Sequence, residues 1–202
     1  MTTEIACDWA LVTPPAEEPI SLDEAKSQAS ITSNDDNGLI GSYIVAARQA
    51  AETYLQRALF TQTWKLQLTD FADVIWLPMA APLQSVSSVQ YYDTAGTLQT
   101  LSTSFYTVDT TSEPGRVLRA PNQVWPSTQA DRLVTVIITY VCGKSNVADI
   151  PESVKQGIRL HVSAADADRN GGAAESRMTW KAAESCWNAY GQVWWRPPSR
   201  CL

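Results

Sequence analysis

LIGSYIVAARQAAETYLQRALFTQTWKLQLTD, residues 39–70, changes its hydrophobic period in mid-course. Leu39, Ile40, Tyr43, Ile44, Ala47, Ala50, Ala51, Tyr54, Leu55 and Ala58 recur at steps of three and four, the spacing that lines one face of an α-helix. From Thr61 the step becomes two. Trp64, Leu66 and Leu68 alternate with Thr63, Lys65, Gln67 and Thr69, as a strand with one buried face requires. One segment thus predicts a long helix to about Ala58 that hands the chain to a sheet.

Upstream, PISLDEAKSQASI carries Ser21 with Glu24 three residues later, a capping box that starts a short first helix. Ser33 and Asp36 repeat the pattern ahead of the long helix. Downstream, DVIWL, SVSSVQYYD, TLQTL, FYTVD, GRVLR and RLVTVIITYV read as short strands separated by turn signals such as DTAG and SEPG. With no helix between them, these strands imply an antiparallel sheet or small β-sandwich. Helical periodicity returns at IPESVKQGIRLHVSAADADRN, where Pro151 suits a first helical turn. Gly171 and Gly172 then precede a last amphipathic stretch, AAESRMTWKAAESCWNAY. The fold class is therefore α+β: a helical frame, at about 21–58 and 151–168, with a central antiparallel insertion at about 61–142. Residues 1–170 form the expected body and 171–202 a C-terminal arm.

The 202 residues are 45% hydrophobic, enough for a substantial core, and carry a formal charge of −6. That balance argues against holding nucleic acid by its phosphates. No apolar run approaches the roughly 20 residues of a membrane span, and MTTEIACDWALVTPP lacks a basic region followed by an apolar stretch, so neither membrane nor secretion is expected. The cysteines at 7, 142, 186 and 201 form no CxxC pair beside the lone His161, which points to unpaired thiols rather than a zinc site.

No phosphate-binding glycine loop, GxSxG or HExxH occurs. His161 falls within a helical pattern as a packed or surface residue, and the pairs Asp35/Asp36 and Asp166/Asp168 read as cap and helix-end charges rather than metal ligands. No catalytic residue, metal or cofactor is expected. Trp64 and Trp76 alternate with polar residues as core. Trp125, followed by Pro126 in a loop, is the better candidate for a contact residue, with a sugar-stacking module as one alternative.

The chain resembles the head-tail connector, or adaptor, proteins of tailed bacteriophages over roughly residues 11 to 165. The likeness runs through LVTPPAEEPISLDEAK, DDNGLIGSYIVAARQAAETYLQRALFTQTWKLQL, the segment from LPMAAPLQSV to SEPGRVLRAPNQVWP, and then VTVIITYVCG and IPESVKQGIRLHV. The ordered set is the specific feature, with SEPGRV followed by WP most telling. After His161 the family pattern usually continues with bulky aromatics and a glutamate, whereas this chain reads VSAADADRNGG. The resemblance implies a structural, non-enzymatic virion subunit, assembled in the host cytoplasm. Its copies would form a ring, dodecameric to match the portal, that extends the DNA channel. Implied partners are the portal protein, neighbouring copies and a downstream neck, stopper or tail-terminator protein, with DNA passing unbound. A tail-completion or tail-terminator subunit is the nearest alternative.

The final residues, WNAYGQVWWRPPSRCL, place large aromatics where chains are usually least ordered. From residue 174 onward Arg177, Lys181, Arg196 and Arg200 stand against Glu175 and Glu184, so this arm is net +2 and the rest of the chain −8. Trp and Arg dominate binding hot spots. Trp187, Tyr190, Trp194, Trp195, Arg196 and Arg200 are therefore the candidate portal-binding residues. For Trp187 and Tyr190 the other reading is that they cover the chain's own helices. Arg116, Arg119 and Trp125 are the candidate ring or neck contacts.

Overall fold

A computed structural model of the chain describes residues 7–169 and 171–191. It contains two compact units, each with its own core. A helical unit comprises Pro15–Phe60 and the described chain from Lys144 onward, and a sheet unit comprises the N-terminal strand with Thr61–Gly143. The α+β class and the insertion of the strands between helical segments are as the periodicity predicts.

In the helical unit, α1 (Leu22–Ala29) begins at the expected capping box. The Glu24 amide donates to Ser21 Oγ at 3.2 Å, and the Ser21 amide donates to the Glu24 carboxylate at 2.7 Å. Helix α2 (Asn37–Leu55) starts differently. Asp36 is the N-cap residue but its side chain makes no capping bond; it pairs instead with Arg169 at 3.3 Å, while Ser33 Oγ donates to Asp35.

Helix α2 also stops at Leu55, short of the predicted Ala58, for a reason that periodicity does not carry. Gln56 turns left-handed, with φ of 55°, and the buried Glu52 carboxylate accepts from the Leu59 amide at 2.9 Å and from Arg48 at 2.8 Å. Arg48 donates in turn to Glu18 at 2.8 Å. A carboxylate with both oxygens engaged by donors is a stable way to end a helix inside a core.

Helix α3 (Glu152–Arg169) follows Pro151, whose carbonyl accepts from the Val154 amide. Beyond α3, Gly171 adopts a φ of +86°, open to glycine at little cost, and the Gly172 amide donates to Ala167 O at 2.8 Å. Helix α4 (Ala173–Tyr190) coincides with the amphipathic stretch read from the sequence. The core joins Ile40, Ile44, Ala47, Ala51 and Leu55 of α2 to Val154, Ile158 and Val162 of α3 and to Ala183 and Trp187 of α4. Arg159 of α3 binds Glu152 on its own helix and Glu24 on α1.

The sheet unit holds a five-stranded antiparallel sheet. Its strands are β1 (Cys7–Thr13), β2 (Gln62–Leu68), β8 (Val136–Cys142), β4 (Leu83–Tyr92) and β5 (Leu98–Thr100), in that spatial order. A second sheet orders β3 (Val74–Trp76), β7 (Arg116–Arg119) and β6 (Tyr106–Asp109), also antiparallel. Strand β8 is central and buries Val136, Ile138, Tyr140 and Cys142 in strict alternation. Leu66 and Leu68 of β2 pair with Ile138 and Val136 and are buried with them. Trp64 and Trp76 are only half-buried, not core as expected. Trp76 is roofed by the Arg116 guanidinium, 5.0 Å from its ring centre.

Strand β1 was not anticipated. Its four consecutive apolar residues, Trp9, Ala10, Leu11 and Val12, show no period of two, because as an edge strand it leaves both faces exposed.

Gly157 decides the seating of α4 on α3. A methyl group there would lie 2.2 Å from Trp187 Nε1. Gly→Ala in a helix interior ordinarily stabilises by about 1 kcal/mol. Here the sign reverses: Gly157→Ala is expected to destabilise the helical unit by roughly 1–3 kcal/mol through overpacking, seen as a lower urea midpoint. A midpoint equal to or above wild type would refute this packing.

Candidate functional site

The sheet unit carries one candidate surface, on the connection from β6 through β7 to Pro126. Asp109 organises its first turn. The carboxylate accepts from the hydroxyls of Ser112 and Thr111, both at 2.7 Å, from their amides at 3.1 and 3.0 Å, and from Arg116 Nε at 2.8 Å. The Ser112 hydroxyl, then Thr111 and Arg116, hold this carboxyl far below the usual aspartate range. Gly115 is fixed from both sides: its amide donates to Ala80 O at 2.7 Å and its carbonyl accepts from Leu77 at 3.0 Å. A Cβ at this position would fall 2.4 Å from Leu83 Cβ, so only glycine fits in SEPGRV.

Arg116 is therefore committed inward, to Asp109 and the Trp76 ring. Arg119, at the other end of β7, is exposed and pairs with Asp73 at 3.4 Å. Trp125 is half-buried, donating Nε1 to Ala72 O at 3.1 Å and stacking on Phe71 at 4.6 Å and 7°. The structure thus brings Arg119 and Trp125 to the same short segment, 71–73, and leaves Arg116 at the opposite end of β7. What protrudes nearby is Val124, 73% exposed, and beyond it Leu133, 86% exposed. Sequence reasoning passed over both, because a lone Val or Leu in a loop carries no periodic signal; the large neighbouring indole drew attention instead.

The helical unit carries the second surface. Trp187 is 2% exposed, tilted against Tyr54 at 5.6 Å and near His161 at 5.9 Å. Tyr190 accepts a hydrogen bond from Arg57 at 2.9 Å, and the same guanidinium covers its ring at 4.5 Å. Tyr54 OH donates to Asn188 Oδ1 at 2.7 Å. Of the two placements left open for Trp187 and Tyr190, the structure has both side chains on their own helices. Trp194, Trp195, Arg196 and Arg200 lie outside the described residues.

Residues 19–109, which span α1, α2 and β2 through β6, match the family of phage gp6-like head-tail connector proteins. That segment, a little less than half of the chain, is similar to head-tail connector proteins. Solved structures extend the likeness in fold beyond it. A chain from the virion of the native gene transfer agent (GTA) particle superposes with a TM-score of 0.72 at 19% identity, covering 95% of this chain and 98% of that one. A chain from the neck of the empty GTA particle, computed with C6 symmetry, gives 0.71 at 18%, covering 96% and 99%. One from the neck of the native GTA particle, computed with C12 symmetry, gives 0.67 at 20%, covering 95% and 99%. No curated protein sequence matches the chain.

His161, the chain's one histidine, is buried on α3. The Trp180 ring meets it edge-on, with ring centres 3.8 Å apart, and neither ring nitrogen meets a hydrogen-bond partner among the described residues. Among the same residues no three His, Cys, Asp or Glu side chains gather as metal ligands would.

Burial lowers the His161 pKa below its ordinary 6.5. The unfolded chain therefore takes up the proton first, so the helical unit keeps full stability above about pH 6.5 and loses it as pH falls from there toward the folded value. Urea midpoints from pH 7.5 to 5 are expected to fall for wild type and to fall less for His161→Leu. Parallel curves for the two proteins would refute the neutral, buried histidine.

Proposed function

We propose that this chain is a head-tail adaptor of a tailed-phage-type particle, a structural virion subunit that joins the head to the tail and performs no catalysis. The observation that carries this reading is the match of residues 19–109 to the head-tail connector family, on a fold shared with neck proteins along nearly the whole chain. In the ring we propose, copies sit below the portal. The C12 symmetry of one similar neck structure supports twelve of them. Charge agrees with the role of a conduit: a body at net −8 repels the phosphates of passing DNA instead of retaining them.

Ring contacts between copies are heterologous, one surface against a different one. The pre-ordered loop from Asp109 to Pro126, with Arg119, Trp125 and the protruding Val124, supplies one such surface in this reading. The other end of the joint is the arm after α4. Trp187 and Tyr190 are spent on the helical core, so Trp194, Trp195, Arg196 and Arg200 are left as the portal-binding residues. Burying two indoles at about 25 cal/mol per Å² of apolar area yields a few kcal/mol per copy before ordering costs. Engaged together around a ring, such modest contacts add up to a firm joint.

Deleting residues 192–202, or changing Trp194 and Trp195 to Ala, is expected to prevent filled heads from recruiting the protein and joining tails, with circular dichroism of the purified chain unchanged. Imaging of virions supplies the broader check, ring density directly below the portal. Wild-type recruitment by both variants would remove the arm as the anchor. Absence of the protein from particles would remove the adaptor reading itself.

A further inference from the structure

The helical unit has an apolar groove of about 390 Å³ between α2 and α4, with Gln49, Thr53 and Tyr54 on one wall and Trp180, Glu184 and Trp187 on the other. Trp180, Glu184 and Trp187 stand four and three residues apart, the spacing that puts them on one face of α4. Trp180 is 38% exposed there. We propose that this groove binds an arginine side chain presented by another protein, with the guanidinium on the aromatic floor and its N–H groups turned to Glu184 on one rim and to Gln49 and Thr53 on the other.

The floor and the rims select that occupant together. Tyr54 lies 5.6 Å from Trp187 at a tilt of 50°, and Trp180 adds an exposed indole, so the floor is largely π surface. Such rings attract a cation, and a guanidinium, planar and weakly hydrated, stacks on them better than an ammonium does. The rims supply acceptors. Glu184 is exposed and has no ion pair among the described residues, while Gln49 and Thr53 are exposed on α2, and no basic side chain among the described residues lines the groove. An uncharged apolar occupant would desolvate that carboxylate and return nothing for it. The volume lies at the small end of ligand pockets, roughly 300–1,000 Å³, which suits one long side chain rather than a helix.

The chain satisfies other aromatic rings in the same way. Arg57 covers Tyr190 at 4.5 Å, Arg132 covers Tyr92 at 3.5 Å, and Arg116 covers Trp76 at 5.0 Å while bound to the Asp109 carboxylate at 2.8 Å. Trp180 beside Glu184 repeats that last pairing of an indole with a carboxylate, but no guanidinium covers it among the described residues. The missing member is the one the partner brings. At a formal charge of −6 the chain also favours encounter with a basic partner. The site is independent of the head-tail reading and of residues 192–202, because it belongs to the helical unit of the purified chain and is tested there.

The experiment uses the full chain labelled with 5-fluorotryptophan, with the Trp180 and Trp76 fluorine resonances assigned by their loss in Trp180→Phe and Trp76→Phe. At constant ionic strength the protein is titrated with a capped Gly-Gly-Arg-Gly-Gly peptide. The same peptide with citrulline, which keeps the shape and removes the charge, and with lysine are the comparisons. The arginine peptide is expected to move the Trp180 resonance saturably, with half-saturation on the order of 10 mM, and to leave the already covered Trp76 in place. Glu184→Gln, at an exposed position, should keep the fold and raise the half-saturation about threefold. A Trp180 resonance that does not move overturns the proposal, and so does an equal response to citrulline or to lysine, or a half-saturation indifferent to Glu184→Gln. Movement of the same resonance on raising the protein concentration, with no peptide present, would put a second copy in the groove and overturn it as well.

Discussion

The seating of Trp187 on Gly157 is the contact on which the helical unit depends. An indole needs a place without a side chain in order to lie close to a neighbouring helix, and α3 offers one only at Gly157. Once Trp187 is there, α4 lies along α3, Ala183 enters the core beside Ile158 and Val162, and Tyr54 and His161 close around the ring. The same contact fixes where the chain leaves the helix. Tyr190, one turn further, is then held under Arg57, and Gly191 becomes the origin of everything downstream. A side chain that reads as a binding residue from composition is in fact part of the helical core.

How far the sequence revealed this depended on whether the signal was periodic. The change of period between Ala58 and Thr61 carried the fold class, and the Ser21–Glu24 box and the α4 stretch were legible because caps and amphipathic faces are local patterns. Strand β1 was hidden because an edge strand exposed on both faces has no alternation to read. The true end of α2 was hidden because it is set by Glu52 meeting Arg48 and the Leu59 amide, bonds that exist only once the chain has folded. Trp187 and Trp194 belong to the same aromatic-rich terminus in sequence. What separates Trp187 is a glycine on another helix thirty residues away, and no reading of the terminus alone contains it.

The turn at Asp109 shows how local chemistry fixes a loop in place. Asp109 gathers five donors from Thr111, Ser112 and Arg116, and Gly115 is clamped between Ala80, Leu77 and Leu83. These bonds hold the turn in one arrangement and leave it little conformational freedom. Trp125 extends the same logic by stacking on Phe71, which holds the exposed Val124 at a defined place. Arg116 and Trp125, which composition marks as contact residues, act on this geometry mainly from within.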